Sequence, residues 1–251
     1  MRTSDNPGGN GTVARTALVT GASRGLGLAL AEALADEGWG LVIDARDPGP
    51  LRAAADRLAR RTAVRAVPGD VADGAHRAAL IAAAWELGGL EAVVLNAGVL
   101  GPSPMPALAD YPIEELERVY RVNVVAQLAL VQAALPLLPP GGRIIAITSD
   151  AARVAYEGWG GYGSAKAALE QLVEVLAEEH KDLMIYSADP GDMRTRMHAE
   201  AFPGEDISDR PLPEVSVPGL LRLLVGDLPS GRYEARSLGP AIDPAVAVSR
   251  A

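Results

Sequence analysis

Short apolar runs alternate with helix-forming segments along nearly the whole chain, and that alternation restricts the fold more than any other feature. Residues 16–20, 41–44, 64–67, 92–95, 144–147, 183–188 and 232–235 read as strands, several of them apolar without interruption. Uninterrupted runs suit strands buried on both faces, the condition of a parallel sheet covered by helices. Segments rich in Ala and Leu follow the strands: to about Glu37, over 51–61, to Trp85, over 113–138, around 162–172 and over 218–225. Parallel neighbours need crossover connections of one hand. The predicted architecture is therefore a single Rossmann-type doubly wound α/β domain, with about seven parallel strands flanked by helices. At 251 residues, 49% of them hydrophobic, the chain can bury such a core in one domain.

The first strand runs straight into Thr20-Gly21-Ala22-Ser23-Arg24-Gly25-Leu26-Gly27 and then a helix. Glycines let a backbone approach a pyrophosphate, and a helix N-terminus offers free N–H groups and the positive end of its dipole. Three glycines alone also make a plain turn; the flanking strand and helix make this one a dinucleotide-loop candidate. The second strand ends in Asp44-Ala45-Arg46-Asp47, where an adenosine ribose would lie. A carboxylate there favours a free 2′-hydroxyl, and an arginine favours a 2′-phosphate through charge-assisted hydrogen bonds. Both are present. Gly69-Asp70-Val71 and Asn96-Ala97-Gly98 follow the third and fourth strands. Asp70 has the chemistry to accept from an adenine amine, and equally to cap a turn or helix, while small residues at 96–98 let a cofactor lie against the backbone.

Residues 143–172 carry the reactive groups. A buried strand ends in Thr148-Ser149, and a predicted helix bears Tyr162 and Lys166. Positions i and i+4 share a helix face, so the phenol and the ammonium project together. A fixed cation favours the phenolate and brings its pKa from near 10 toward the working range; Ser149 can hydrogen-bond the same substrate oxygen. Asn123, set among valines in the long segment over 113–138, needs hydrogen-bond partners if buried, and neighbouring backbone is one source. After the sixth strand comes Asp189-Pro190-Gly191-Asp192-Met193-Arg194-Thr195.

Over residues 15–235 these motifs resemble the short-chain dehydrogenase/reductase family. The resemblance rests on Thr-Gly-x-x-x-Gly-x-Gly at 20–27, Asp70-Val71, Asn96-Ala97-Gly98, Ser149 thirteen residues before Tyr162-x-x-x-Lys166, and Pro-Gly-x-x-x-Thr at 190–195. Leu95 departs from the family's Asn-Asn-Ala-Gly. The resemblance implies an oxidoreductase that interconverts a carbonyl and a secondary alcohol of a small molecule. It implies a catalytic set of Asn123, Ser149, Tyr162 and Lys166, with Asn123 helping to hold a water that links Lys166 to solvent. Cofactor contacts are implied for Gly21, Ser23, Arg24, Gly25, Leu26 and Gly27 in the loop, for Arg46, and for Asp70 and Val71 at the adenine. They are implied also for Asn96, Ala97 and Gly98, for Tyr162 and Lys166, and for Pro190, Gly191, Met193 and Thr195 around the nicotinamide.

The family's NAD-selecting acidic position falls on Ala45 and its NADP-selecting basic positions on Arg24 and Arg46. NADP(H) is expected over NAD(H), with Asp44 or Asp47 still free to turn toward the ribose. Residues 192–213 fall where the family keeps a substrate lid, which makes Met193, Met197, His198 and Phe202 candidates for the substrate pocket. Asp150, Ala151 and Arg153, just after the serine, are further candidates.

Composition narrows the remaining classes. Without cysteine there is no disulfide frame and no thiolate nucleophile, and three scattered histidines do not suggest a zinc site, so no metal is expected. A net charge of −9 argues against nucleic acid, and no apolar run reads as a membrane span. The polar segment over 1–14 lacks a signal-peptide core and is expected to be disordered, the protein cytoplasmic, the domain to cover 15–236, and 237–251 to form a tail. A homodimer through the apolar helices around Asn123 and Lys166, or a homotetramer, is expected, although the family's C-terminal glycine segment is missing. Two other functions stay open: an NADPH-binding sensor or interaction protein without turnover, and an epimerase or dehydratase using the same catalytic set.

Overall fold

The structure, a computed structural model, describes residues 15–239; the segments 1–14 and 240–251 lie outside the described residues. Seven strands, β1 Thr16–Val19, β2 Gly40–Ala45, β3 Val64–Pro68, β4 Ala92–Leu95, β5 Arg143–Ile147, β6 Met184–Asp189 and β7 Gly231–Glu234, form one sheet. Its order is β3-β2-β1-β4-β5-β6-β7, and every pairing is parallel. Eight α-helices accompany them among the described residues: α1 Gly25–Asp36, α2 Pro48–Leu58, α3 Gly74–Glu86, α4 Ile113–Tyr120, α5 Ala126–Ala134, α6 Gly160–Glu179, α7 Arg196–Ala201 and α8 Val217–Val225.

Strand periodicity sorts the core into two layers. Along each central strand alternate residues point to opposite faces. Val19, Leu41, Ile43, Val94 and Ile145 pack with Leu30, Leu34, Leu51 and Leu220 from α1, α2 and α8. Their neighbours Leu18, Val42, Val93 and Ile144 pack with Leu80, Leu130, Leu169 and Val173 from α3, α5 and α6. Uninterrupted apolar runs are what two covered faces require. The edge strand β3 is half-exposed and carries Arg65, paired with Glu86 at 2.8 Å, and Pro68, devices that blunt a sheet edge. The winding reverses between β1 and β4, so a crevice opens beyond their carboxyl ends.

The long segment expected over 113–138 is not one regular helix. Residues Arg121–Val125 form a π-turn between α4 and α5, and Leu135–Leu137 close the segment as a 3-10 turn. The segment Ile113–Leu137, 25 residues, is long enough to cross a membrane, and an 18-residue window within it reaches a mean hydropathy of 1.2, which by length and composition alone corrects the reading that no run reaches that length. Half of that apolar window is buried, and α5 packs against α3, as a helix of the core does.

Candidate active site

The loop after β1 builds the phosphate end of the crevice. Gly21 and Gly25 have φ of +67° and +56°, values that favour glycine. Helix α1 begins without a side-chain cap and with no acidic residue in its first turn, so its leading N–H groups are left for a ligand anion. Asn96 holds the loop from behind, donating Nδ2–H to the carbonyls of Thr20 at 2.8 Å and Gly21 at 3.3 Å. Gly27 belongs to that backing and is absent from the crevice wall: a Cβ there would lie 2.5 Å from Asn96 Nδ2 and 2.6 Å from the Gly21 carbonyl oxygen.

The two acids near the ribose position are both engaged. Asp44 is buried, accepting from the Gly21 N–H through Oδ1 at 2.6 Å and meeting His76 Nε2 through Oδ2 at 2.9 Å. Gly69 makes room for that imidazole, since a Cβ at 69 would meet His76 Nδ1 at 2.2 Å. Asp47 caps α2 by accepting from the Gly49 N–H at 3.0 Å. Arg24 and Arg46, both exposed, line the crevice. The freedom expected of Asp44 and Asp47 is thus taken up by the fold. His76 was legible in the sequence only as one of three histidines; its pairing depends on how α3 packs against β2.

At the other end, Ser149, Tyr162 and Lys166 lie on the wall of the same crevice, whose volume is about 920 Å³. Ser149 follows β5; its Oγ–H donates to Asp150 Oδ1 at 2.9 Å while Oγ accepts from the Ala151 N–H at 3.2 Å. Tyr156 donates to the other Asp150 oxygen at 2.9 Å. On α6, Lys166 is buried and donates to the Ile147 carbonyl at 2.7 Å, with Nζ 5.6 Å from the centre of the Tyr162 ring.

The expectation that the ammonium lowers the phenol pKa is corrected by burial. Burial, with the carboxylates of Asp189 and Asp150 adding to it, pushes the Tyr162 phenol well above its ordinary value. Burial also pushes Lys166 down to about 8, against a smaller upward pull from Glu170. Tyr162 is therefore protonated across the neutral range, and Lys166 is mainly charged at pH 7.

Asn123 sits in the π-turn, fully buried, and stands behind the crevice wall. Its Oδ1 accepts from the Val99 N–H and its Nδ2 donates to the Val99 carbonyl, both at 2.8 Å. Gln127 Nε2 donates to the Ala97 carbonyl at 3.0 Å, so the pair fixes the loop after β4. A Cβ on Gly98 would lie 3.2 Å from Asn123 Oδ1 and 3.8 Å from Lys166 Nζ, which places the bare backbone of Gly98 between the two.

Residues 15–206 match the family model described as short chain dehydrogenase. The chain belongs to the short-chain dehydrogenase/reductase family. The uncharacterized oxidoreductase YciK of Escherichia coli is 31% identical over 226 residues, covering 85% of this chain and 86% of its own. The solved YciK structure superposes with a TM-score of 0.82 at 31% identity, covering 89% of this chain and 95% of that one. A Shigella flexneri protein described as a short-chain dehydrogenase and solved with NADP superposes with a TM-score of 0.81 at 30% identity, covering 89% and 97%.

Of the other positions that the family resemblance singles out, Ser23, Leu26, Asp70, Val71, Ala97, Pro190, Gly191, Met193 and Thr195 line the same crevice, as do Met197 and His198. Phe202 is absent from the wall and packs behind it on Trp159 and His198. Arg153 turns away to Glu170 at 2.5 Å and Glu174 at 2.9 Å. Glu170 was overlooked in the sequence, although it stands one turn after Lys166 on an otherwise apolar helix face. Buried, it accepts from Thr148 Oγ1 at 2.7 Å and Arg232 Nε at 2.9 Å. Burial pushes Glu170 up, but the hydrogen bonds from Thr148, Arg232 and Arg153 outweigh it and leave its carboxyl below the usual range. Arg232 also donates to Asp189 at 2.9 Å, so one buried network ties the ends of β5, β6 and β7 to α6 directly beneath Ser149 and Lys166.

Proposed function

We propose that this protein uses NADP(H) to interconvert a carbonyl and a secondary alcohol of a small molecule. The observation that carries the reading is the meeting of Ser149, Tyr162 and Lys166 on one wall of a crevice whose far end presents Arg24 and Arg46. The cofactor fits the residues present: an uncapped helix N-terminus suits its pyrophosphate, and two exposed arginines on the crevice wall suit a 2′-phosphate where both nearby acids are engaged. NAD(H) is the less favoured partner for the same reason.

When bound, the reduced nicotinamide supplies the hydride. Tyr162, held protonated by burial, gives its proton to the developing alkoxide as a general acid. Ser149 donates to the same oxygen once its hydroxyl turns from Asp150. Lys166 would hold the ribose and supplies positive charge beside the tyrosine ring. Asn123 supports the path that restores the proton, fixing the Val99 backbone and with it Gly98 beside Lys166. Incubation with NADPH and a panel of ketones and aldehydes, followed at the nicotinamide absorbance, tests the reading. Consumption matched by secondary alcohol is expected. No consumption across the panel refutes it and favours a sensor; substrate conversion without net NADPH consumption favours an epimerase or dehydratase.

A further inference from the structure

Aromatic side chains gather at one place along the crevice. The loop before α6 carries Tyr156 and Trp159, and α7 is followed by Phe202, the chain's one phenylalanine. Trp159 stands edge-on to Tyr162 with ring centres 5.9 Å apart at 72°, and meets Phe202 at 5.8 Å. Trp159 and Tyr162 lie on the crevice wall, Leu100, Met197 and Ala201 complete it with apolar groups, and Phe202 backs Trp159 from behind. Trp159 is only half-buried and lies on the crevice surface, so part of its indole is left for a ligand rather than for the protein's own core. A planar ring makes edge-to-face or offset contacts with such a surface that a puckered ring of equal size does not.

Building on the reductase reading, we propose that the substrate is a ketone with a planar aromatic ring next to its carbonyl, the ring resting against Trp159 while the oxygen reaches Ser149 and Tyr162. In the reaction a hydride from the reduced cofactor adds to the carbonyl carbon and the Tyr162 proton to the oxygen, giving an aryl carbinol and the oxidised cofactor.

The test is KM at saturating NADPH for acetophenone and for cyclohexyl methyl ketone, which share a skeleton and differ in ring planarity. The expected result is a KM at least tenfold lower for acetophenone. In Trp159→Leu, and independently in Phe202→Leu, the aryl preference falls to within threefold while NADPH affinity is kept. Equal or lower KM for the cyclohexyl ketone, or an aryl preference that survives Trp159→Leu in a folded variant, overturns the substrate class and leaves the reductase reading standing. Because the wild-type ratio alone decides the first point, failure of a variant to fold does not shelter the proposal. Turnover of none of these ketones, nor of any other carbonyl in a broad panel, sinks the reductase reading itself.

Discussion

Removing the two crevice arginines separates the two cofactors. Arg24 and Arg46 are exposed, so replacing them with alanine breaks no buried contact and leaves the fold intact. A hydrogen bond to a charged group contributes about 1.5–3 kcal/mol, and exposure puts these two at the lower end, about 1.5 kcal/mol each. Together they amount to roughly 3 kcal/mol, or about a hundredfold in Kd for NADPH. NADH lacks the 2′-phosphate and its Kd should move by less than threefold. Asp44 does not offset the loss, because its two oxygens are committed to Gly21 and His76. Titration of nicotinamide fluorescence with wild type, each single variant and Arg24→Ala/Arg46→Ala measures the effect, and the NADPH preference should shrink as salt is raised. Equal weakening of both cofactors, or tighter NADH binding by the wild type, refutes the reasoning.

Two further outcomes follow from the buried groups. With its native pKa near 8 against the ordinary 10.5, Lys166 binds its proton less tightly folded than unfolded. The unfolded chain therefore holds more protons between pH 8 and 10.5, stability rises with pH across that window, and below pH 8 the charged lysine costs roughly 3 kcal/mol. Lys166→Met should be more stable than wild type at pH 7 in urea unfolding and should lose that rise; lower stability at pH 7 contradicts the assignment. Asp44→Ala leaves the Gly21 N–H and the His76 ring without their partner. About 3 kcal/mol of stability should go, and NADPH and NADH should weaken together; unchanged melting with intact binding of both counts against the clamp.

The sheet was legible because its signals are local. Parallel strands buried on both faces advertise themselves as apolar runs, and the strands found lie within a residue or two of those runs even at the half-exposed edges β3 and β7. Helix starts were less legible: α2 begins at Pro48, where Asp47 caps it, ahead of the apolar residues that mark its middle. The π-turn around Asn123 has no sequence period of its own, because the valines there fit a regular helix equally well. Site residues carried by turns, such as Gly21 and Gly191, stood out by their punctuation. What the sequence left hidden was pairing across the sheet. Nothing local says that Asp44 spends both oxygens on Gly21 and His76, or that Arg232 reaches Glu170 and Asp189. The direction of the Tyr162 shift was hidden for a related reason: the i, i+4 spacing conveys that a cation is near, but burial, which outweighs it, is a property of the packed core.

The central claim is that Tyr162 delivers the proton to a carbonyl reduced in this crevice. Single-turnover NADPH oxidation with a ketone substrate, comparing wild type and Tyr162→Phe, tests it most directly, since the variant keeps the ring against Trp159 and removes only the hydroxyl. The account predicts a fall of about a thousandfold or more in rate, with NADPH Kd within threefold of wild type. A variant that still oxidises NADPH at a tenth of the wild-type rate or faster would contradict it.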